Sequence, residues 1–430
     1  MANALIEPII NLRVSEMAEN LVGSEIIKLA GEVKEKIAKG EKIYNMTIGD
    51  FDPKIFPIPN ELQNEITNAY LNGETNYPPA DGIKELREVV SRFLHTRQTL
   101  EYNENQILIA GGARPLIYSL YQTLLNPDDV VLFPVPSWNN NHYTHLSHAK
   151  QIFIETKAED NFMPTAQQLQ PYISSATLIS LCSPLNPSGT TFGKEQLFKI
   201  CDLIMDENKK RAASHKKPLY LMYDQIYWTL TYGETVHVDP VSLFPEMKNF
   251  TIFIDGISKT LAATGVRVGW AFGPQKIIDK MKSILGHIGA WAPKAEQVAC
   301  AKYLKNDKWV DTYLENFKAQ LNNRLTSFYN GFIHLKNEGF KVNAIAPQAA
   351  IYLTIQFNLF GLKTETGKEI KTTEDITSYI LNEAKLAVVP FSAFGSTKNS
   401  TWYRLSVGTA STEDVEDIIN NLRKALSKLS

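Results

Sequence analysis

The chain has 430 residues, 44% hydrophobic and 21% charged, with 46 acidic against 44 basic side chains and a formal net charge of -2. That length supports sizeable cores in a large and a small domain, the composition is that of an ordinary globular enzyme, and the near-neutral charge gives no signal for nucleic acid. Cys182, Cys201 and Cys300 are isolated, odd in number and without zinc spacing, which points to a reducing, cytoplasmic setting with no disulfide framework. Met1–Pro8 carries an acid and no basic stretch leading into an apolar core, so no secretory signal is read there. No apolar run approaches the roughly 18 residues of a membrane span.

Residues 15–40 read as a helix ending at Lys39-Gly40. A strand from Tyr44 then meets Gly49 and Pro53, and a glycine there lets the backbone N–H approach a ligand closely. Thr75–Gly82 is a turn segment holding Tyr77, ahead of a helix over Ile83–His95. Gln106–Pro115 is a strand running into a helix, with Pro115 suited to the first turn. The free N–H groups of Gly112, Ala113 and Arg114 at that helix start make an anion site. Val130–Trp138 reads as a buried strand. His142, His145 and His148 follow at three-residue spacing, but no carboxylate or cysteine completes a metal set, so they read as a solvated helix face. Ala176–Gly189 is an apolar strand ending in Asn186-Pro-Ser-Gly. Pro218–Trp228 places Asp224 at the end of another such strand, where an unpaired carboxylate is costly and a cation is needed.

Asn249–Ile254 is apolar, β-branched and aromatic, and reads as a buried strand that delivers Ser258 and Lys259 to its carboxyl end. Ligands sit at such ends in open parallel sheets. Gly265-Val-Arg267-Val-Gly-Trp270 follows. A lysine there can form an imine with a carbonyl, and an arginine can hold a phosphate through two parallel hydrogen bonds. The group suits a phosphorylated carbonyl cofactor. From about residue 300 the pattern turns helical, with short strands read at Lys341–Ala346 and Ala350–Ile355. Arg404 lies on a last strand in Trp402–Gly408, and an arginine pairs with carboxylates bidentately in a way lysine does not.

Ser258-Lys259 with Gly-x-Arg-x-Gly-Trp, preceded by Asn186-Pro-Ser-Gly and Asp224-x-x-Tyr227, resembles the class I/II pyridoxal-phosphate-dependent aminotransferases of fold type I, aspartate aminotransferase-like, over nearly the whole chain. The resemblance implies an α/β fold, with a mostly parallel seven-stranded sheet in a large cofactor-binding domain (54–300) and a small α+β domain formed from 1–53 and 301–430. It implies pyridoxal 5'-phosphate joined to Lys259 as a Schiff base, Asp224 at the ring nitrogen, Asn186 and Tyr227 at the ring oxygen, and Trp138 against the pyridine. Gly112, Ala113, Arg114, Ser258 and Arg267 fall at the phosphate, with Tyr77 reaching the phosphate of a neighbouring subunit in a homodimer with shared active sites. Gly49, Asn186 and Arg404 fall at the substrate, Arg404 at its α-carboxylate. The implied activity moves an amino group between an amino acid and a 2-oxo acid. Aspartate or glutamate with 2-oxoglutarate is favoured, while aromatic and alanine-type donors stay open; a lyase or decarboxylase of the same fold is the alternative. The chain departs from the pattern at Gly256, where serine or alanine is common, and at Ser188, where threonine is. The loop His287–Lys294 lacks an arginine that some subgroups carry, leaving Lys294 as a candidate in its place.

Overall fold

The computed structural model describes residues 13–21, 23 and 25–430, without the side chains of 25–28; Met1–Pro8 lies outside them. Its strands are β1 (Tyr44–Asn45), β2 (Ile107–Ala110), β3 (Val130–Val135), β4 (Lys150–Glu155), β5 (Ala176–Cys182), β6 (Tyr220–Asp224), β7 (Thr251–Gly256), β8 (Gly269–Phe272), β9 (Val342–Ala344), β10 (Tyr352–Phe357), β11 (Leu386–Ala387), β12 (Val389–Pro390) and β13 (Trp402–Ser406).

The large sheet has seven strands in the order β2-β8-β7-β6-β5-β3-β4. From β7 to β4 all neighbours run parallel. β8 is the exception and runs antiparallel to both β7 and β2. The sheet is mostly parallel, as expected. Strands covered on both faces need apolar residues at every position, and the period of two assigns them to opposite sides. Leu178, Met222 and Ile252 pack under helices Ala113–Leu124 and Gln275–Ile288. Ile179, Leu221 and Phe253 pack under helices Lys84–Gln98 and Lys194–Ala213 on the other. A separate core forms where the long helix Asp307–Asn337 covers the antiparallel sheet β12-β13-β10-β9. β1 pairs in parallel with β11, tying the N-terminal strand to this second unit.

Several boundaries differ from the sequence reading. The helix over 15–40 is broken into Glu16–Glu19 and Glu25–Ala38. Asn20 caps the first piece and its side chain bonds back to the Glu16 carbonyl, which competes with helix propagation, and Gly23 adds backbone entropy. β7 begins at Thr251, because Asn249 completes the 3-10 helix Pro245–Asn249, and runs on to Gly256, because Asp255 and Gly256 pair with Trp270 and Gly269. β3 stops at Val135, ahead of Pro136, which has no N–H to continue a ladder. β9 and β10 cover Val342–Ala344 and Tyr352–Phe357. The histidine face is not wholly solvated: His142 and His145 are half-buried, and His145 Nε2 lies 2.7 Å from the Met17 carbonyl oxygen, so the short N-terminal helix rests on it. Among the described residues no group of three or more His, Cys, Asp or Glu is placed to hold a metal. Among them, too, no helix is long and apolar enough to cross a membrane.

Candidate active site

A cavity of about 740 Å³ opens at the carboxyl ends of β5, β6 and β7. Gly49, Ala113, Arg114, Trp138, Asn186, Asp224, Tyr227, Ser258, Lys259, Arg267 and Arg404 all line it. Residues up to 374 positions apart in sequence therefore meet in one pocket, since its lining runs from Ala30 to Arg404.

Lys259 stands on the short helix Ile257–Thr260 that follows β7. Its Nζ donates to the Gly49 carbonyl oxygen at 2.6 Å. Burial is the main reason its ammonium is pushed down to about 8; the arginines at 404, 114 and 267 add to this, while Asp50 opposes it. A substantial fraction of the amine is then neutral near physiological pH. Asp50 is itself held, its Oδ1 accepting from Thr264 Oγ1 at 2.6 Å and from the Phe51 N–H at 2.8 Å.

Asp224 closes β6 and is 9% exposed. Among the described residues its carboxylate accepts one hydrogen bond, from the Ile226 N–H at 3.1 Å, and it pairs with no cation. Burial pushes it up to about 6. Cross-strand pairing sets Cys182 beside it, and burial holds that thiol well above its ordinary range, so it is a neutral neighbour.

Arg404 is the mirror case. It is 2% exposed, donates to Asn186 Oδ1 at 3.0 Å and to the Thr47 carbonyl at 2.6 Å, and its Nε has no partner. Its guanidinium is sandwiched between the rings of Tyr352 and Phe394, 4.7 and 4.9 Å from their centroids. Among the described residues no carboxylate reaches it. A buried cation without an anion calls for one from outside.

Arg267 is held in the left-handed region (φ 62) by hydrogen bonds to the carbonyls of Thr264 and Gly111 at 2.7 and 2.8 Å. Such a conformation costs about 1–2 kcal/mol for a non-glycine residue and persists where the surroundings impose it. Gly112 (φ +91) does not line the cavity but packs behind Arg267, and a Cβ there would overlap the guanidinium. The helix Ala113–Leu124 starts immediately after it and aims its free N–H groups at the same place. Ser258, Arg267 and this helix start together could hold an anion. The Arg114 guanidinium lies 4.8 Å from the Trp138 ring centroid and, unlike the other three cavity cations, has no hydrogen bond or ion pair to protein among the described residues.

Tyr77 is outside the cavity of its own chain. It is 82% exposed and lies edge-on to Trp291, 5.2 Å between centroids. Lys294 shares that surface, bonded to Glu74 and Asn76. Asp50, Thr264 and Tyr352 also line the cavity, and none of them was singled out as a site residue. An acid directly after Gly49 was the available signal for Asp50, and the family-like segment ending at Tyr352 was the signal for that residue.

The donor set fits the phosphorylated pyridine aldehyde that the resemblance implies. It offers a carboxylate lacking a cation, an amine of lowered pKa, a glycine-backed anion cradle and a carboxylate clamp. The family model for aminotransferase class I and II matches residues 41–422. The aspartate aminotransferase of Bacillus subtilis is 27% identical over 424 residues, covering 97% of this chain and all of the relative. A probable aspartate/prephenate aminotransferase of Rhizobium leguminosarum is 28% identical over 93% of this chain and 95% of its own length. The solved aspartate aminotransferase from Rhizobium meliloti superposes with a TM-score of 0.87 at 26% identity, covering 97% of this chain and 100% of that one. A match that runs through the cavity lining from Gly49 to Arg404 makes this chain a member of the class I and II aminotransferases, transferases that work with pyridoxal phosphate.

Proposed function

We propose that this aminotransferase moves the amino group of a dicarboxylic amino acid, aspartate or glutamate, to a 2-oxo acid such as 2-oxoglutarate. The observation that carries the reading is a pair of buried, oppositely charged groups in one cavity, Asp224 and Arg404, neither matched by an opposite charge from the protein, with the amine of Lys259 in the same cavity. Arg114 supports the dicarboxylic class: it is a third binding cation left free to pair with a second substrate carboxylate. The names of the relatives point the same way.

When bound, the cofactor supplies an aldehyde that links to amines and a protonated ring that draws electrons from the substrate α-carbon. Asp224 keeps the ring nitrogen protonated. Asn186 and Tyr227 bond the ring oxygen, and Trp138 packs on the ring. Ser258, Arg267 and the Gly112–Arg114 turn hold the phosphate. Lys259 Nζ would hold the cofactor through its aldehyde, and its free amine would take the substrate α-proton and return it as general base and acid. Its lowered pKa suits both directions. Arg404 fixes the α-carboxylate, with the Gly49 backbone alongside. The two cores support a large cofactor-binding domain over 54–300 and a small one from 1–53 and 301–430. Three free cysteines support a reducing, cytoplasmic setting.

A donor and acceptor screen tests the reading, followed through the cofactor's absorbance, on the wild type and Arg404→Lys. Aspartate and glutamate are expected to be the best donors. The lysine variant is expected to lose about 2–5 kcal/mol of apparent binding to substrates with a free α-carboxylate, because the bidentate pair is lost. Equal losses for amino acids and for simple amines would make Arg404 structural instead.

The proposal includes a homodimer in which Tyr77 completes the partner's phosphate site. Its exposure, and the exposed Tyr70, Leu71 and Ile288 on neighbouring segments, support a surface covered by a second copy. Suppose Tyr77→Ala and Lys259→Ala are each inactive alone. Co-refolded, they should regain activity, up to about half per hybrid dimer, since one of two symmetric sites then receives intact Lys259 and intact Tyr77. A mixing curve that stays at the average of the parents would place Tyr77 in its own subunit's site or in none.

A further inference from the structure

We propose that Tyr352 is a positioning residue that donates to the Tyr227 hydroxyl and thereby forces Tyr227 to donate into the cavity. The two hydroxyl oxygens are 2.6 Å apart, with the rings edge-on at 5.6 Å and 68°. Each residue is 2% exposed and each lines the cavity. Neither hydroxyl has another protein partner among the described residues.

Two phenols in contact share one hydrogen between them, and the second hydrogen must find its acceptor elsewhere. Two observations decide the direction. The Arg404 guanidinium lies over the Tyr352 ring, 4.7 Å from the centroid, and a cation on the ring face draws electrons from the hydroxyl and makes it the stronger donor. The second is the packing of Gly49: a Cβ at that position would stand 2.8 Å from the Tyr352 hydroxyl, so the bend after β1 backs the phenol too closely for an acceptor side chain on that side. The Tyr352 hydrogen therefore lies in the contact. The Tyr227 oxygen accepts it, and the Tyr227 hydrogen is left to face the cavity. A hydroxyl that accepts is polarised and donates more strongly, by about 10–30% in a chain of such bonds. The inference rests on the reading in which Tyr227 bonds the cofactor's ring oxygen. It makes Tyr352 a determinant of that bond's strength.

The test is a pH titration of the bound cofactor's absorbance, without substrate, in wild type, Tyr352→Phe, Tyr227→Phe and the double variant. Phenylalanine removes one oxygen and keeps the ring volume, so the packing is retained. Donation to the ring oxygen favours its anionic form and makes the adjacent lysine–cofactor nitrogen easier to deprotonate when that bond is strong. Tyr352→Phe is expected to raise the titration midpoint by about half a pH unit, and Tyr227→Phe by more. In the Tyr227→Phe background the second change is expected to add nothing, because its only route runs through the Tyr227 hydroxyl. If Tyr352→Phe leaves the midpoint unchanged while Tyr227→Phe moves it, the proposal fails and the reading of Tyr227 stands. If the two shifts simply add, Tyr352 acts on its own and the proposal also fails. If neither variant moves the midpoint, the assignment of Tyr227 falls, and the proposal with it.

Discussion

Replacing Lys259 with alanine is expected to lower turnover by about 10⁴-fold or more, because in the proposed mechanism one amine serves as both covalent anchor and proton carrier. No neighbouring group can stand in. Asp50, the acid that acts on it, is engaged by Thr264 and the Phe51 N–H. The other cavity cations are arginines, which do not deprotonate in proteins. Binding of the phosphate should survive, since Ser258, Arg267 and the helix start after Gly112 are untouched. Single-turnover kinetics measure the first effect. Borohydride reduction of the wild-type holoenzyme with peptide mapping measures the second point, where the link forms, and a cofactor label on any other lysine would remove Lys259 from this role.

Asp224→Asn is expected to leave the fold intact and slow the reaction by about two to four orders of magnitude, the equivalent of the roughly 3–5 kcal/mol lost when one partner of a buried ion pair is removed. It makes an opposite prediction for the protein without cofactor. There the carboxylate is buried with no cation, and its pKa is raised from 3.8 to about 6. Below about pH 4 it is protonated both folded and unfolded, and it costs nothing. Between about 4 and 6 the unfolded chain releases the proton and the folded one keeps it, so stability falls as pH rises. Above 6 the penalty is complete, of order 2–3 kcal/mol. Cofactor-free Asp224→Asn should therefore match the wild type at pH 4 and exceed it at pH 7 in denaturant midpoint. A difference that is the same at both pH values would show that Asp224 is not an uncompensated charge. A variant that is more stable empty and nearly inactive when loaded would display the cost of keeping a cation site ready.

Much of this cavity was legible because each strand end carries its chemistry in a short motif. Asn186 in its Asn-Pro-Ser-Gly turn, Asp224 three residues before Tyr227, and Lys259 eight before Arg267 all sit at or just after sheet strands. The order of such motifs also anticipated the parallel sheet. Tyr352 was not legible, because its significance lies in contact with Tyr227, 125 positions away, and a tyrosine in an apolar strand reads simply as core. Thr264 was hidden for the same reason: its bond to Asp50 spans 214 positions. The break in the N-terminal helix depends on a side chain that competes with the backbone at Asn20, a local choice that hydrophobic periodicity does not register. The tilt of the histidine face toward Met17 arises only when the chain's start folds back on it.

The reversed strand β8 has a further consequence, for folding order. A parallel successor to β7 would have required a crossover helix before the chain returned to the edge where Lys259 lies. Running antiparallel instead, β8 starts beside the end of β7, with Gly269 opposite Gly256. One hairpin thus carries both Lys259 and Arg267, the residues proposed to hold the cofactor's aldehyde and phosphate, and their separation is a matter of local geometry. Contacts this near in sequence involve little loop-closure entropy and form early, whereas Asp224, Asn186 and Arg404 join only when distant segments close. The segment carrying Lys259 and Arg267 is thus the part of the pocket that can assemble first, while the Gly111 carbonyl and the helix start after Gly112, more than 150 positions from Arg267, must still close on it before the proposed phosphate site is complete.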